Sequence, residues 1–187
     1  MPLLAREPDL FPDDLLEPPE WRDEGDRVWQ VAHTLPRREK DLARRLLQQE
    51  IPFYLPQIEQ QYRSPAGRRR VAYLPLFPNY LFVRASLDEA GEVFGTGCVA
   101  RLLDVHNPEQ FLFDLQQIHR LTHCGLPFLR EPEMLPGTPV RVMNGPFQGF
   151  EGRVIKHQSG ARLLIMINYL QQGISVSLEG CDIERLG

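Results

Sequence analysis

Two histidines and a cysteine are the residues best spaced for metal chemistry. His119 and His123 are four positions apart, so a helix would carry both on one face, and Cys124 follows directly. Such a pair can bind a metal ion. However, no glutamate stands between the two histidines as in metalloproteases, and the chain contains no CxxC motif. We therefore interpret them as surface histidines and predict neither a metal nor any other cofactor.

The chain lacks the short motifs that mark common active sites. It contains no GxSxG nucleophile turn, no P-loop and no GxGxxG loop. Acidic side chains, which can act as general acids or bases, are concentrated near the N-terminus, where residues 1–27 hold nine acids and three arginines. We predict that the protein is not an enzyme. The enzymatic alternative is a metal-dependent activity that uses His119 and His123.

A proline-bracketed aromatic segment, PLFPNYLFVR at residues 75–84, is the most distinctive stretch of the chain. Pro75 and Pro78 fix φ and lack an N–H donor, so they restrict the backbone on either side of Phe77. Asn79 tolerates left-handed dihedral angles, and the YLFV sequence that follows it favours a strand. The segment predicts a rigid corner followed by a buried strand, which suits either a plain core or a binding pocket.

Two clusters of basic residues are candidates for nucleic-acid contact. We predict a helix from Thr34 or Leu35 to Glu50, with apolar residues within one arc and basic residues on the opposite arc. The apolar positions are Leu42, Ala43, Leu46 and Leu47, and the basic positions are Arg37, Arg38, Lys40, Arg44 and Arg45. The second cluster, which follows the turn sequence SPAG, consists of Arg68, Arg69 and Arg70. Each cluster either lies in solvent or faces a phosphate backbone.

Composition is typical of a globular protein. The 187 residues suffice for one domain or two small ones, and 42% are hydrophobic and 25% charged. No apolar run approaches the roughly 20 residues of a membrane span, and three scattered cysteines favour a reducing cytoplasm over a disulfide framework. Residues 1–26 are rich in proline and acids and poor in apolar residues, so we expect them to form a disordered acidic tail.

The order of the predicted elements indicates an α+β protein with two domains. Residues 27–124 predict a mainly antiparallel sheet flanked by helices, and the proline-containing residues 125–135 predict a linker. In residues 136–187, short strands alternate with glycine turns, which is typical of a small β-barrel. The predicted barrel strands are Pro139–Met143, Gly152–His157, Leu163–Ile167, Ile174–Leu178 and Asp182–Leu186.

Motifs in both domains resemble one known family. The sequence GPFQGFEGRV resembles the core of the KOW motif, with matches at Gly145, Pro146, Phe147, Gly149, Glu151, Gly152 and Val154. Upstream, WQVAHT at residues 29–34, PRRE at 36–39 and LFPNYLFV at 76–83 resemble the N-terminal domain of NusG, a transcription elongation factor. The basic hairpin before these last residues is similar to that of specialised, antiterminating NusG paralogues.

The resemblance implies a polymerase-binding surface on the N-terminal domain. A member of this family would bind the clamp of the largest RNA polymerase subunit through an aromatic pocket and promote elongation or antitermination. The corresponding positions are Trp29, Tyr54, Leu55, Phe77, Pro78, Tyr80 and Phe82. Basic residues would lie near DNA at the transcription bubble, namely Arg37, Arg38, Arg68, Arg69 and Arg70.

The resemblance also implies a partner for the C-terminal domain, which would be an SH3-like KOW barrel. In the family this domain recruits a second factor, such as the termination factor Rho or a small-subunit ribosomal protein. The corresponding contact positions are Phe147, Phe150, Tyr169 and Leu170. We expect a cytoplasmic monomer without a membrane partner. The alternative function is that of an RNA-binding or ribosome-associated KOW protein, because KOW motifs also occur in ribosomal proteins.

Overall fold

The computed structural model describes residues 7–17, 26–65, 67–133, 136–158 and 160–186. The chain forms two compact units, residues 1–108 and 109–187, called here the N-terminal unit and the C-terminal unit. The N-terminal unit contains β1 Leu10–Phe11, β2 Val28–Thr34, α1 Glu39–Gln48, β3 Phe53–Tyr54, β4 Gln57–Arg63, β5 Arg69–Pro75, β6 Tyr80–Ala85, α2 Leu87–Gly95 and β7 Val99–Asp104. Helix α3 Pro108–His123 starts at the last residue of the N-terminal unit and lies otherwise in the C-terminal unit. The strands of the C-terminal unit are β8 Leu129–Glu131, β9 Thr138–Val142, β10 Glu151–His157, β11 Gly160–Ile167, β12 Gln172–Ser177 and β13 Ile183–Arg185.

The N-terminal unit is built on an antiparallel sheet with the strand order β1-β3-β6-β2-β7. Successive side chains along a strand point to opposite faces of the sheet, so every second side chain faces α1 and α2. The buried cluster on that face includes Ala32, Phe53, Leu81 and Val83 from the sheet, and Leu42, Leu46 and Val93 from the two helices. The predicted mixture of helices with antiparallel sheet is thus confirmed in this part of the chain.

Strands β4 and β5 pair with each other as a two-stranded hairpin. The register runs from Gln57 opposite Pro75 to Arg63 opposite Arg69. Beyond Ile58, every residue of β4 is exposed. The predicted hairpin arm is therefore present, and its basic end lies in solvent.

Helix α1 begins at Glu39, later than the predicted start at Thr34 or Leu35. Thr34 is still the last residue of β2. Arg37 has a φ of 63°, in the left-handed region. A helix cannot pass through that conformation, so the first turn forms only after it.

Residues 7–17 differ from the expected disordered tail. Strand β1 pairs with β3 and extends the sheet, and Leu15 and Leu16 are buried. The apolar residues of this segment bury enough surface to order it, which its acidic composition had obscured. The rest of the predicted tail, residues 1–6 and 18–25, lies outside the described residues.

The C-terminal unit contains a second antiparallel sheet, with the strand order β13-β9-β10-β11-β12-β8. All five predicted strands are found near their expected positions, while the closure of this sheet into an SH3-like barrel stays a prediction. Gly152 of the KOW-like motif sits in β10, where a Cβ atom would lie 2.3 Å from the Leu164 carbonyl oxygen. Only glycine allows the two strands to approach so closely.

Two predicted boundaries differ from the structure. Residues 125–135 contribute β8, which pairs with β12, instead of forming only a linker. Helix α3, which falls within the predicted N-terminal domain of residues 27–124, belongs to the C-terminal unit. The reason is that its buried polar residues Asp114 and Gln117 accept hydrogen bonds from main-chain N–H groups of that unit.

Within the described ranges, no helix has the length and apolar character needed to cross a bilayer.

Candidate functional site

Most aromatic residues of the predicted polymerase site gather on one face of the N-terminal sheet. Tyr54 is in register with Phe82, and Phe82 is in register with Val31. Registered neighbours share a face, as do residues two apart on one strand, so Trp29 lies on this face too. The ring centroids of Tyr54 and Phe82 are 6.2 Å apart. We call the side of the sheet that carries these four residues the aromatic face; helices α1 and α2 pack on the opposite side.

The proline-bracketed corner extends the aromatic face. Tyr80 is in register with His33, and the centroids of their rings are 5.1 Å apart. Phe77 meets Phe82 edge-on, with 6.2 Å between ring centroids. Pro78, between the two aromatic residues of the corner, is exposed. The structure therefore places Phe77 and Tyr80 of the corner next to residues of the aromatic face.

Burial of the rings differs from the expected open pocket. Tyr54 and Phe82 are 0% exposed and Phe77 is 1% exposed, whereas Tyr80 is only half-buried. The rings pack against one another, which removes their apolar area from water. Leu55 lies in the buried cluster beneath α1, on the opposite side of the sheet. We therefore withdraw Leu55 from the candidate surface.

A buried carboxylate from helix α1 holds the corner in place. Glu39 is 5% exposed, and its carboxylate accepts a hydrogen bond from the Asn79 N–H at 2.7 Å. Asn79 has a φ of 66°, as predicted for a left-handed position, and its carbonyl accepts a hydrogen bond from the Thr34 N–H at 2.8 Å. Sequence reasoning missed Glu39. The sequence feature that could have pointed to Glu39 is that it is the one acidic residue of the otherwise basic PRRE sequence.

Residues 7–17, which contain the edge strand β1, are anchored along β3. The Leu55 N–H donates to the Asp9 carbonyl at 2.6 Å. The carboxylate of Glu7 forms an ion pair with the guanidinium of Arg44 on α1 at 3.3 Å. We call residues 7–17 the N-terminal segment.

The N-terminal segment contributes apolar side chains beside the aromatic face. Leu10 is in register with Tyr54 and shares its face. Leu15 and Leu16 are 2% and 7% exposed, and neither belongs to the cluster beneath α1 and α2. The N-terminal segment thus places Leu10 on the aromatic face, beside Tyr54.

The arginines of the hairpin lie around its turn. The Arg68 carbonyl accepts a hydrogen bond from the Ser64 N–H at 2.9 Å. Arg69 stands opposite Arg63, and Arg70 stands opposite Tyr62. The hairpin end therefore carries four arginines and an aromatic ring: Arg68 lies in the turn, and the other three arginines and Tyr62 form the last two pairs of the ladder.

The other predicted nucleic-acid contacts, Arg37 and Arg38, precede helix α1. Both residues are exposed. The Arg38 guanidinium forms an ion pair with the Asp41 carboxylate at 3.0 Å, so part of its charge is balanced. The two basic clusters lie on separate elements, namely the turn before α1 and the end of the β4–β5 hairpin.

The predicted partner-binding residues of the C-terminal unit lie in two turns. Phe147 and Phe150 precede β10 and meet edge-on, with ring centroids 6.3 Å apart. Tyr169 and Leu170 follow β11 and are half-buried. Gly149, with a φ of 82°, shapes the first of these turns, a conformation that favours glycine.

Helix α3 contacts two of these four residues. The guanidinium carbon of Arg120 lies 4.3 Å from the centroid of the Phe150 ring, a cation–π arrangement. Phe111 meets Tyr169 edge-on, with ring centroids 6.2 Å apart. The predicted partner surface is therefore partly covered by a helix of its own unit.

Polar groups anchor the same helix to the C-terminal sheet. One carboxylate oxygen of Asp114 accepts hydrogen bonds from the main-chain N–H and the side-chain amide of Asn168, each at 3.0 Å. The side-chain oxygen of Gln117 accepts a hydrogen bond from the Glu151 N–H at 2.7 Å. Burial raises the pKa of Asp114, while the hydrogen bonds from Asn168 and Gln110 oppose that shift.

The two histidines singled out for metal chemistry lie together on α3. The centroids of His119 and His123 are 4.2 Å apart, and Nδ1 of His123 lies 2.8 Å from the His119 carbonyl oxygen. Among the residues that the structure describes, no group of three or more His, Cys, Asp or Glu side chains is arranged to hold a metal ion.

Comparison with protein families identifies the N-terminal part of the chain. Residues 27–119 match the family model described as transcription termination factor NusG. The matched range contains the aromatic face, the corner and both basic clusters, and it ends within α3. Residues 27–119 are therefore similar to a NusG family domain, and this similarity supports a NusG-like transcription factor.

Proposed function

We propose that this protein is a transcription elongation or antitermination factor of the specialised NusG type. It binds RNA polymerase through the aromatic face and recruits a second factor through a KOW barrel in its C-terminal unit. The observation that carries the proposal is the NusG family domain at residues 27–119, whose sheet gathers Trp29, Tyr54 and Phe82 on one side. The protein acts by binding, and not by catalysis.

The polymerase site would accept a helical protrusion of the clamp. A row of aromatic rings on a rigid sheet suits recognition of an apolar helix face, and such rings commonly supply most of the binding energy. Because Tyr54 and Phe82 are fully buried in the free protein, binding requires that the aromatic face be uncovered. We propose that the N-terminal segment is the element displaced, because its Leu10 shares the face of Tyr54 at the edge of the sheet. Displacement has to offset the burial of Leu15 and Leu16.

DNA near the transcription bubble is the proposed ligand of the basic clusters. Arginines on a protruding hairpin reach a phosphate backbone without disturbing the polymerase site. The aromatic ring of Tyr62, which is 46% exposed beside Arg70, adds a surface on which an unpaired base stacks.

The second factor is proposed to bind the turns that carry Phe147, Phe150, Tyr169 and Leu170. Candidates are the termination factor Rho and a small-subunit ribosomal protein. Either would link the bound polymerase to a second machine.

Capture of purified RNA polymerase by the immobilised protein tests the proposal. We expect the full chain to bind polymerase, and a chain lacking residues 1–17 to bind it more tightly because the aromatic face is more accessible. Tyr80→Ala in either background should weaken binding by about 2 kcal/mol, or about 30-fold in Kd, as expected of an aromatic anchor. Phe77→Ala should have a similar effect, provided that circular dichroism shows the variant to be folded.

The matched control is Leu87→Ala, a change on helix α2 at a side chain that is 89% exposed. Binding by this variant should equal that of the unmodified chain. Equal capture by the unmodified chain, Tyr80→Ala and Phe77→Ala would contradict the polymerase site, and absence of capture by every form would contradict the function.

A further inference from the structure

The aromatic face reaches solvent at one end. Tyr80, His33 and Arg101 stand opposite one another on the neighbouring strands β6, β2 and β7. Registered residues share a face, so Arg101 also lies on the aromatic face. The rings of Tyr80 and His33 are half-buried, and Arg101 is exposed. We call these three residues the open row.

Each side chain of the open row can donate a hydrogen bond. The Tyr80 hydroxyl and the Arg101 guanidinium are donors, and the His33 imidazole carries at least one N–H. The ring centroids of Tyr80 and His33 are 5.1 Å apart. Among the residues that the structure describes, no carboxylate forms an ion pair with Arg101. The open row therefore presents donors and one positive charge that no described carboxylate balances.

The registered residues of the aromatic face add a second positive charge. Arg84 is in register with Trp29 and shares its face. The acidic residue of β7, Asp104, is in register with Gln30 and accepts a hydrogen bond from its side-chain amide at 2.9 Å, on the opposite face of the sheet. A ligand whose charge complements the aromatic face is therefore acidic.

The distance from the open row to the buried rings fits one side of a helix. Tyr80 precedes Phe82 by two residues, and His33 follows Val31 by two residues. Two residues along a strand span about 6.6 Å, and four residues along an α-helix span about 6 Å. A partner helix that runs along the strands can thus place an apolar residue on the rings and an acidic residue at Arg101, one turn away.

We propose that the open row recognises a carboxylate of the protein that binds the aromatic face, and that Arg101 determines this specificity. The group recognised is an aspartate or glutamate one helical turn from an apolar residue of the partner. A planar guanidinium binds a carboxylate through two parallel hydrogen bonds. Arg101 is exposed while Tyr54 and Phe82 are covered, so it meets the partner before the rings do. The inference rests on the proposed polymerase site.

A nucleic-acid phosphate is the other common ligand of a guanidinium. The open row carries one arginine and continues directly into apolar rings, whereas the proposed DNA contacts are groups of arginines on the hairpin and before α1. Phosphate backbones are bound by several positive charges together. These observations favour a carboxylate of a protein.

Capture of RNA polymerase free of nucleic acid, by the immobilised full chain, tests the role of Arg101. We expect Arg101→Glu to lower the affinity at least about tenfold at low salt, because two carboxylates then face each other. The loss should shrink as the salt concentration rises. Arg101→Lys keeps the charge without the planar fork and should lose less. The matched control is Arg130→Glu, at an exposed arginine of β8, which should bind like the unmodified chain.

A zero-length cross-linker identifies the group that Arg101 contacts. A carbodiimide activates a carboxylate, which then forms an amide with a neighbouring amine, and a guanidinium does not react in this way. In the captured complex of Arg101→Lys, we expect the new amine to be joined to an aspartate or glutamate of the polymerase. Mass spectrometry of the digested complex locates the bond. The unmodified chain should show no cross-link at position 101.

Comparison with Tyr80→Ala separates this inference from the proposed function. Weaker capture by Arg101→Glu together with the cross-link supports the inference. If Tyr80→Ala weakens capture and Arg101→Glu does not, the polymerase site stands and the role of Arg101 is overturned. If Arg101→Glu weakens binding of labelled DNA and leaves capture unchanged, the guanidinium contacts phosphate and the inference is overturned. If no form captures polymerase, the proposed function fails, and the inference fails with it.

Discussion

Single side chains decide where the aromatic face forms. Tyr54 and Leu55 are adjacent in the sequence, yet alternation sends the tyrosine to the aromatic face and the leucine to the core beneath α1. The corner that presents Phe77 depends in turn on Glu39, because its carboxylate is the acceptor for the Asn79 N–H. At this scale a hydrogen bond links helix α1 to the corner of the candidate site.

Replacing Glu39 should therefore loosen the corner. Glu39→Ala removes the acceptor at 2.7 Å from the Asn79 nitrogen, so we expect a loss of about 1–3 kcal/mol in the free energy of unfolding. Urea unfolding followed by tryptophan fluorescence measures it, because Trp29 lies in the same sheet. Glu39→Gln preserves an acceptor and should cost less. An alanine variant as stable as the glutamine variant would show that this hydrogen bond does not hold the corner.

At the scale of elements, the β4–β5 hairpin is the part of the N-terminal unit whose binding role is separable from folding. Beyond Ile58, β4 is exposed, and β5 alternates between exposed and half-buried residues. Among the described residues, the two strands pair only with each other. The N-terminal segment is the opposite case, because Leu15 and Leu16 are buried. Changes in the hairpin should alter ligand binding alone, whereas changes in the segment should alter both stability and access to the aromatic face.

Combining Arg68→Ala, Arg69→Ala and Arg70→Ala should weaken DNA binding without unfolding the protein. Each lost phosphate contact lowers the slope of log affinity against log salt by just under one unit, so we expect a decrease of about 2–3. Titration of labelled DNA at several salt concentrations gives the slope. Arg130→Ala, at an exposed position in β8, should leave it unchanged. A triple variant with the original slope would mean that the hairpin arginines do not contact phosphates.

At the scale of the whole molecule, the unit boundary separates α3 from the sheet that precedes it in the chain. The family match runs to residue 119, whereas the C-terminal unit begins at residue 109. The helix is therefore covered in part by the family match while its polar anchors bond to the C-terminal sheet.

Fragments of the chain test this boundary. A fragment of residues 109–187 should unfold cooperatively, and a fragment of residues 124–187 should be less stable by about 3 kcal/mol. The difference corresponds to the three hydrogen bonds that Asp114 and Gln117 accept from Glu151 and Asn168, at about 1 kcal/mol each. Urea unfolding monitored by far-UV circular dichroism provides both values. Identical stabilities of the two fragments would show that α3 does not stabilise the C-terminal unit and belongs to the N-terminal unit.

The sequence by itself determined the order and type of most elements and the residues of the corner. These depend on local chemistry: proline and glycine restrict φ, apolar periodicity separates helix from strand, and Asn79 could be predicted as left-handed from its side chain alone. It also placed Trp29, Tyr54, Phe77 and Phe82 in one proposed surface, through the motif resemblance and not through any contact pattern.

Only the tertiary structure decided which of these surfaces are covered. The pairing of Leu10 with Tyr54, the hydrogen bond from Asn79 to Glu39 and the docking of α3 through Asp114 and Gln117 all join residues that are distant in the chain. The sequence of an amphipathic helix or a short apolar strand indicates that one face must be buried. It does not indicate which other element covers that face. Burial depends on the shape and the unpaired groups of the partner surface, and these exist only once the chain has folded.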